Sequence, residues 1–395
     1  MEYIIKAIIR GLVFPILRTF RWLFGSQMSG MQPSGPGSLQ ASTREQLLHQ
    51  CQEAPVRKVP LLHRQFKQLP LATTRLGNDE PDSVGCQSNG SAADTKPDAL
   101  PARDARVRVM AWNILADALS MGADNFIKCP KESLLWDNRK YAIIEEILTY
   151  DPDVVCLQEV DHYEDFFLPV LQQVGYSGAF NPKPDSPCLD CLDNNGPDGC
   201  VVFFKTDCFK LVKSELPNLE VDYNGKKFVS NQVAVMHHLK CISEKLLDEE
   251  FCIATTHLKA KHGYETMRAK QGQHLIEVLK KCSKNLPLIV GGDFNAEPTE
   301  DVYSVYETSD LNLASAYKKL SEDGMQEPPY TTWKIRPRRE ECHTIDYMWY
   351  TQEHLEPVAL LRFPGEKEIG SERLPSWSYP SDHLSLVCDF VFKGT

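Results

Sequence analysis

Six apolar runs in this chain each end in a residue type suited to acid–base or metal chemistry. The residues are Asn113, Glu159 behind Gln158, His257, the pair Asp293 and Asn295, Asp346, and Asp382 followed by His383. The most telling run is Leu288-Ile-Val-Gly-Gly-Asp-Phe-Asn-Ala-Glu-Pro-Thr299, where an apolar stretch stops abruptly at Asp293 and Asn295. It reads as a buried strand that Gly291-Gly292 releases into a turn. A carboxylate and a carboxamide two positions apart at a strand end point the same way, because side chains alternate along a strand. One can accept a proton from a water while the other donates hydrogen bonds to a phosphate oxygen. Singly, each residue has a plainer role: Asp293, Asn295 or Glu159 as a helix cap, His257 as a satisfied core histidine, Asp346 as a salt-bridge partner. Six of them, all just past hydrophobic strands, are hard to attribute to core packing. Oxygen donors with little thiolate or imidazole suit a hard cation, Mg²⁺ first and Mn²⁺ next, rather than zinc.

A second set is basic. His257-Leu-Lys-Ala-Lys-His262, followed by Arg268 and Lys270, forms a local positive cluster in an acidic chain. Lys183 sits in Asn181-Pro-Lys-Pro-Asp-Ser-Pro187, where prolines fix its direction, and Arg336 ends Thr332-Trp-Lys-Ile-Arg336. Lys270 and Lys334 read as solvated surface lysines. Lys259 and Lys261, flanked by a strand-end histidine and a glycine, are the better phosphate ligands, point charges on flexible stems.

The elements that must position these groups follow from hydrophobic period. Val107, Val109 and Ala111 alternate into a strand leading to Asn113, and residues 153–157 make a buried strand ending before Glu159. A helix is expected over residues 137–150, closed by Pro152, and another from about 264 to 282. Residues 251–255, 344–350 and 383–392 read as further strands. Strands outnumber interspersed helices, so the expectation is one α/β catalytic domain, residues 106–393, with sheets packed face to face and flanked by helices.

The net charge of −11 argues against coating long nucleic acid by general electrostatics, though not against a small anion in a local basic pocket. Thirteen cysteines without regular spacing suggest free thiols in a reducing compartment. The first 25 residues carry Lys6, Arg10, Arg18 and Arg21 on one face of an otherwise apolar helix. That pattern fits a mitochondrial presequence or a helix on an anionic membrane surface, and neither a membrane span nor a secretion signal. A mitochondrial or cytoplasmic, non-secreted protein follows. Residues 26–105, rich in Ser, Pro, Gly, Gln and Asp, read as a mostly disordered linker, with a short helix over 43–51.

The segments Trp112-Asn-Ile-Leu-Ala116, Cys156-Leu-Gln-Glu-Val160, Thr256-His-Leu-Lys-Ala260, Gly291-Gly-Asp-Phe-Asn295, Thr344-Ile-Asp-Tyr347 and Ser381-Asp-His383 occur in order and without a gap in the set. Together they resemble the motifs of the exonuclease–endonuclease–phosphatase superfamily. Asp161-His-Tyr163, Asn194-Asn-Gly-Pro-Asp-Gly-Cys200, Pro328-Pro-Tyr-Thr-Thr-Trp-Lys-Ile-Arg336 and Leu374-Pro-Ser376 narrow the resemblance to a deadenylase-like branch. The resemblance implies a two-sheet α/β sandwich of the DNase-I-like kind and Mg²⁺-dependent phosphoester hydrolysis, with Mn²⁺ as substitute. It places Glu159 on the metal, with Asn113 and Asp382 completing the metal's environment through water. Asp293 orients or deprotonates the attacking water, and Asn295 holds the phosphate. Asp346 fixes the tautomer of His383, which stabilises charge on phosphorus, while His257 contacts the phosphate or the leaving oxygen. Lys183, Lys259, Lys261 and Arg336 grip the substrate's phosphates. Position 261 departs from the pattern, being Lys where the branch carries Arg, which removes a bidentate contact.

The same resemblance implies removal of the 2′-phosphate from NADP⁺ and NADPH, giving NAD⁺ and NADH. The wider kinship implies 3′-to-5′ poly(A) removal instead, and an inactive scaffold is a third alternative. The acidic chain, without an RNA-binding module and with its positive charge clustered near the site, favours the dinucleotide. The expected protein is a monomer. Further expected partners are poly(A) RNA or RNA-regulatory proteins, and a membrane through residues 1–25.

Overall fold

The structure is a computed structural model that describes residues 39–70, 105–122, 126–192 and 194–393. The expected segment 1–25 and residues 26–38 and 71–104 of the expected linker lie outside the described residues. The described residues from Gln40 onward belong to one compact unit. Among the described residues no helix is long and apolar enough to cross a membrane.

Two sheets carry the fold. The first runs in the order β1 (Phe66–Gln68), β15 (Leu355–Leu361), β16 (Leu386–Phe392), β2 (Val107–Asn113), β3 (Val154–Val160), β5 (Gly199–Lys205), β4 (Tyr176–Pro182). The second runs β11 (Leu313–Ser315), β14 (Asp346–Thr351), β10 (Leu288–Asp293), β9 (Glu250–His257), β8 (Lys226–Cys241), β6 (Phe209–Glu215), with β7 (Asn218–Tyr223) paired to the start of β8. A small ribbon of β12 (Thr332–Ile335) and β13 (Glu340–His343) stands apart. This is the expected two-sheet α/β sandwich.

Alternation decides what each face does. Val109, Ala111, Val154 and Cys156 from one sheet meet Val235, Ile253, Ile289 and Met348 from the other in a single apolar core. The opposite face of the second sheet, through Ala254, Val290 and Trp349, packs on Leu275 and Leu279 of one helix and Val302 and Tyr306 of another. Four helices matter below: α1 (Arg44–Gln52), α2 (Trp136–Tyr150), α3 (Glu265–Ser283) and α4 (Asp301–Glu307). The helices expected over 137–150 and 264–282 are α2 and α3. α2 ends with Asp151 in the left-handed region at φ 49°, ahead of Pro152.

Two expectations need correction. Gly291-Gly292 does not turn the chain: β10 runs through both glycines to Asp293. They are there for contact, because a Cβ at Gly291 would lie 2.7 Å from the Ala111 Cβ and one at Gly292 would lie 2.2 Å from the Thr256 carbonyl oxygen. Residues 40–70 are not linker either. α1, N-capped by the Thr43 side chain, is followed by a strap that ends in β1, paired antiparallel to β15. Its buried apolar residues, Leu47, Cys51, Ala54 and Leu69, are too few and irregularly spaced to announce burial, and polar contacts add to their hold on the domain.

Candidate active site

Continuing the inner-face parity of four strands past the apolar core brings four functional side chains to one end of the sandwich. Ala111 leads to Asn113, Thr255 to His257, Gly291 to Asp293 and Met348 back to Asp346. Register sets them side by side, Asp293 lying opposite His257 in the parallel pair and opposite Asp346 in the antiparallel one. All four are buried. A rung below, Gln158 Nε2 reaches across to Thr255 Oγ1 at 2.8 Å and ties the sheets together.

Glu159 breaks the parity. It sits in a β-bulge between Leu157 and Val160 and takes a left-handed φ of 57°. A bulge re-aims a side chain, and here it turns a carboxylate into the cleft. Glu159 Oε2 accepts from the Ala116 N–H at 3.1 Å, and Oε1 accepts from Asn113 Nδ2 at 3.0 Å. Asn113 Nδ2 also donates to Asp293 Oδ2 at 2.9 Å, while its Oδ1 accepts from the Leu115 N–H at 3.0 Å. Asn113 therefore presents donors to both carboxylates and keeps its own oxygen on the backbone, so it holds the two acids together rather than offering a ligand oxygen between them.

His257 is held neutral. Lys183 Nζ donates to its Nδ1 at 3.2 Å and lies 2.6 Å from Asp198 Oδ2. Burial, then the lysine charge and His383, push the imidazole well below its usual pKa. Its Nε2–H thus faces Asp293 Oδ2 at 3.6 Å and Glu159 Oε1 at 3.9 Å.

His383 is the opposite case. Burial would lower its pKa, yet Asp346, Asp382 and Asp293 raise it to about 9. Its Nδ1 bonds Asp346 Oδ2 at 2.9 Å, leaving the Nε2–H 3.9 Å from Asp293 Oδ2. Thr331 Oγ1 donates to Asp346 Oδ2 at 2.5 Å and steadies the dyad. Next door, Lys334 Nζ contacts Asp382 Oδ2 at 2.6 Å. Burial alone would raise the Asp382 carboxyl, but Lys334, His383 and Arg336 hold it below the usual carboxylate range. Lys334 is thereby corrected from a surface lysine to a buried partner of the site.

Charge pairing points to where a cation belongs. Asp346 has His383, Asp382 has Lys334 and Asp198 has Lys183. Glu159 and Asp293 share only the Asn113 amide, and among the described residues neither has a cationic side chain within hydrogen-bonding distance. Burial and the neighbouring Asp346 raise the Asp293 carboxyl to about 7, as expected of an acid short of positive charge. Asp293, Asp346 and His383 also place ligand atoms within 4.8 Å of one another, but two of those are already joined to each other. The donors that fit a hard divalent ion are thus the Glu159 and Asp293 carboxylates.

The basic residues divide. Burial, then Lys261 and Lys183, depress Lys259, so the three ammonium groups share one region, and Lys183 and Lys259 both act on His257. Lys259 Nζ rests 4.9 Å from the Tyr264 ring centroid, and Lys261 is exposed at φ 82°. Arg336 stands over the Phe126 ring at 4.8 Å, with Glu341 at 3.7 Å. Arg268 leaves the cluster: its guanidinium pairs with Glu300 at 2.7 Å and donates to the Lys259 and Lys261 carbonyls at 3.0 and 2.9 Å. It shapes the lysine loop instead of meeting substrate. Asn295, at φ 50°, donates its backbone N–H to Asp293 Oδ1 at 2.8 Å and its Nδ2 to the Leu258 carbonyl at 3.1 Å, locking the pair that opens the motif.

Residues 110–383 match the model of the Endonuclease/Exonuclease/phosphatase family. The chain belongs to that family. Among its relatives, nocturnin of Xenopus laevis is 54% identical over 288 residues, 72% of this chain and 72% of its own length. A solved structure of the human nocturnin catalytic domain with bound sulfate anion covers 74% of this chain and 95% of that one, at 49% identity and a TM-score of 0.62. More distantly, the CCR4-Not complex 3′-5′-exoribonuclease subunit Ccr4 of Candida albicans is 29% identical over 309 residues, 67% of this chain and 38% of its own length. The chain is a nocturnin-type phosphoesterase related to the Ccr4 enzymes.

Three members of this phosphoesterase site escape the sequence reading: Asp198, Thr331 and Lys334. Asp198 and Thr331 lie inside the Asn194–Cys200 and Pro328–Arg336 motifs, so a signal was present. What was absent is a partner, since each acts on a residue 15 or more positions away.

Proposed function

We propose that this chain is a Mg²⁺-dependent phosphatase that removes the 2′-phosphate of NADP⁺ and NADPH. The observation that carries the reading is the Glu159/Asp293 pair, joined by one amide and with no lysine or arginine against it among the described residues, beside a histidine that also feels Lys183 and Lys259. Two acids short of positive charge, near lysines that crowd one another, suit a metal and a phosphate together. A divalent cation held by Glu159 and Asp293 would supply Lewis-acid stabilisation of the phosphoryl oxygens. Asp382, bound to Lys334, would act on such an ion only through water.

The chain's own groups do the rest. Asp293 Oδ2, facing the cleft, accepts the proton of the attacking water. The His383 imidazolium donates its Nε2–H to the charge building on phosphorus, with Asp346 holding the ring. Neutral His257 donates from Nε2 toward the phosphate or the leaving 2′-oxygen. Asn295 and the lysines hold the phosphate, and Arg336 takes the outlying pyrophosphate. Lys261 grips through a single point charge where an arginine would use two hydrogen bonds.

The acidic chain and the compact positive cluster support a small ligand over a polymer, and the human relative's catalytic domain binds an oxyanion, sulfate. The kinship to Ccr4 favours a second reading, poly(A) shortening. The full chain with Mg²⁺ is given NADPH or 5′-labelled poly(A), and phosphate release and chain length are followed. Phosphate release that vanishes in Glu159→Ala supports the proposal. Shortening of poly(A) without NADPH turnover replaces it, and silence on both substrates points to a scaffold.

A further inference from the structure

Two buried arginines bracket the loop that carries Asp382 and His383. At one end Arg139 Nη1 donates to the Pro380 carbonyl at 3.3 Å, and to the Ile114 and Leu115 carbonyls just past Asn113 at 3.0 and 2.9 Å. At the other end Arg64 Nη1 donates to the Ser385 carbonyl at 2.9 Å, and its Nη2 contacts Ser385 Oγ. Arg139 lies in the segment that matches the family model, residues 110–383. Arg64 does not; it comes from the strap of residues 40–70.

The Arg64 end is a closed polar network. Arg64 Nη2 lies 2.6 Å from Glu146 Oε1 on α2, and the two side chains are 1% and 0% exposed. The same Glu146 oxygen accepts from Tyr379 OH at 3.1 Å and from Ser385 Oγ at 2.8 Å, while the Ser385 N–H donates to Tyr379 OH at 2.9 Å. Further up the strap, the Leu62 N–H donates to the Ser378 carbonyl at 2.9 Å and Lys58 lies 3.9 Å from the Trp377 ring centroid. Every one of these contacts lands on residues 377–385 or on the helix behind them, and none touches the cleft. An ion pair this deep costs desolvation that apolar packing would avoid, so it is weak evidence for stability and better explained by a geometric task.

We propose that Arg64 is a positioning residue for His383, supplied from outside the family-matching domain, and that the strap is part of the enzyme. By fixing Ser385 two residues beyond His383, it sets the depth at which Nε2 meets the phosphate. The catalytic part of this proposal rests on the phosphatase reading; the structural part does not.

The test uses the full chain with Arg64→Met/Glu146→Met, which removes both charges and leaves no orphan buried ion, beside Arg64→Lys, which keeps charge but loses the forked geometry. Hydrogen exchange needs no substrate. Amides of residues 376–385 should exchange at least tenfold faster in the double variant, with β9 and β10 unchanged. Equal exchange in that loop overturns the proposal, and so does acceleration throughout the molecule. On whichever of NADPH or poly(A) the wild type turns over, kcat should fall about tenfold to a hundredfold with KM little moved, as a small misplacement of a catalytic group does. Arg64→Lys should lie between. In a His383→Ala background the same pair of substitutions should cost nothing further; an additive loss would show a merely structural role. A wild type inactive on both substrates sinks the phosphatase reading and leaves hydrogen exchange to decide.

Discussion

Lys183 Nζ lies 3.2 Å from His257 Nδ1 and 2.6 Å from Asp198 Oδ2, so one ammonium group fixes the tautomer of a histidine and neutralises a buried acid. Lys183→Met should therefore do two separable things. It orphans Asp198, which is fully buried, at a cost of about 3–5 kcal/mol in urea unfolding. It also removes a charge that depresses His257, whose NMR titration should move up toward the ordinary imidazole range. Lys183→Met/Asp198→Asn should recover most of the stability and none of the histidine shift. A His257 titration unchanged in either variant would show that Lys183 is not its controlling neighbour.

The Glu159/Asp293 pair predicts that the metal-free protein is less stable than it could be. Asp293 has its folded pKa raised to about 7 from 3.8, so its contribution is fully present below pH 3.8 and is lost as pH rises through about 7. At neutral pH, Asp293→Asn should stabilise the metal-free chain by roughly 2 kcal/mol while abolishing turnover, the usual conflict between an active site and its fold. Mg²⁺ should raise the wild-type Tm, by about 2.7 kcal/mol of stability at a hundred times its Kd, and the shift should disappear in Glu159→Ala. Calorimetry with and without metal reads both effects. A destabilised Asp293→Asn would mean that Asn113 and His257 already satisfy the acid.

Much of this site was legible because strand alternation is a short-range rule. Asn113, His257, Asp293 and Asp346 all follow from counting in twos past an apolar run, and register brings them together. Glu159 was legible as a strand-end acid although its bulge was not, since a bulge depends on the partner strand. Lys334 misled because alternation along β12 alone does not reveal that Asp382 waits across a loop 48 residues on. The strap of residues 40–70 misled for a different reason: composition marks what cannot bury much apolar surface, and this segment buries only a few apolar side chains and adds Arg57, Arg64 and one short strand pairing. Gly291-Gly292 was read from local conformational freedom, when what demands the glycines is another sheet and another strand pressing on them.

The histidine dyad makes a prediction about alkaline activity. His383 is useful as an imidazolium, and its pKa is raised to about 9, with Asp346 the largest favourable influence against burial. Turnover should fall as pH rises through about 9. Asp346→Asn removes that influence, so the alkaline limb of kcat/KM should shift toward neutral pH. The rate at pH 7 should fall on the order of a hundredfold, the range for loss of a well-placed proton donor. A limb that stays at the same pH in Asp346→Asn belongs to another group.

Ala111 and Gly291 face each other across the two sheets, and the next inward residues on their strands are Asn113 and Asp293. The missing side chain at Gly291 therefore sets the spacing at which Asn113 Nδ2 reaches Asp293 Oδ2, 2.9 Å. Gly291→Ala would bring its methyl within 2.7 Å of the Ala111 Cβ, and the sheets must part to admit it. Overpacking of this kind costs about 1–3 kcal/mol, enough to measure but not to unfold a domain of this size. Activity should fall further than stability, because the Asn113 bridge opens at the same time. Ala111→Gly, which removes the opposing methyl, should restore both in the Gly291→Ala background. Gly292→Ala admits no such rescue, since its methyl would meet the Thr256 carbonyl oxygen at 2.2 Å within the sheet itself, and backbone cannot be trimmed. Unfolding curves and kcat for the three variants separate these outcomes. If Ala111→Gly fails to restore the Gly291→Ala enzyme, sheet spacing at this point does not govern the distance between Asn113 and Asp293.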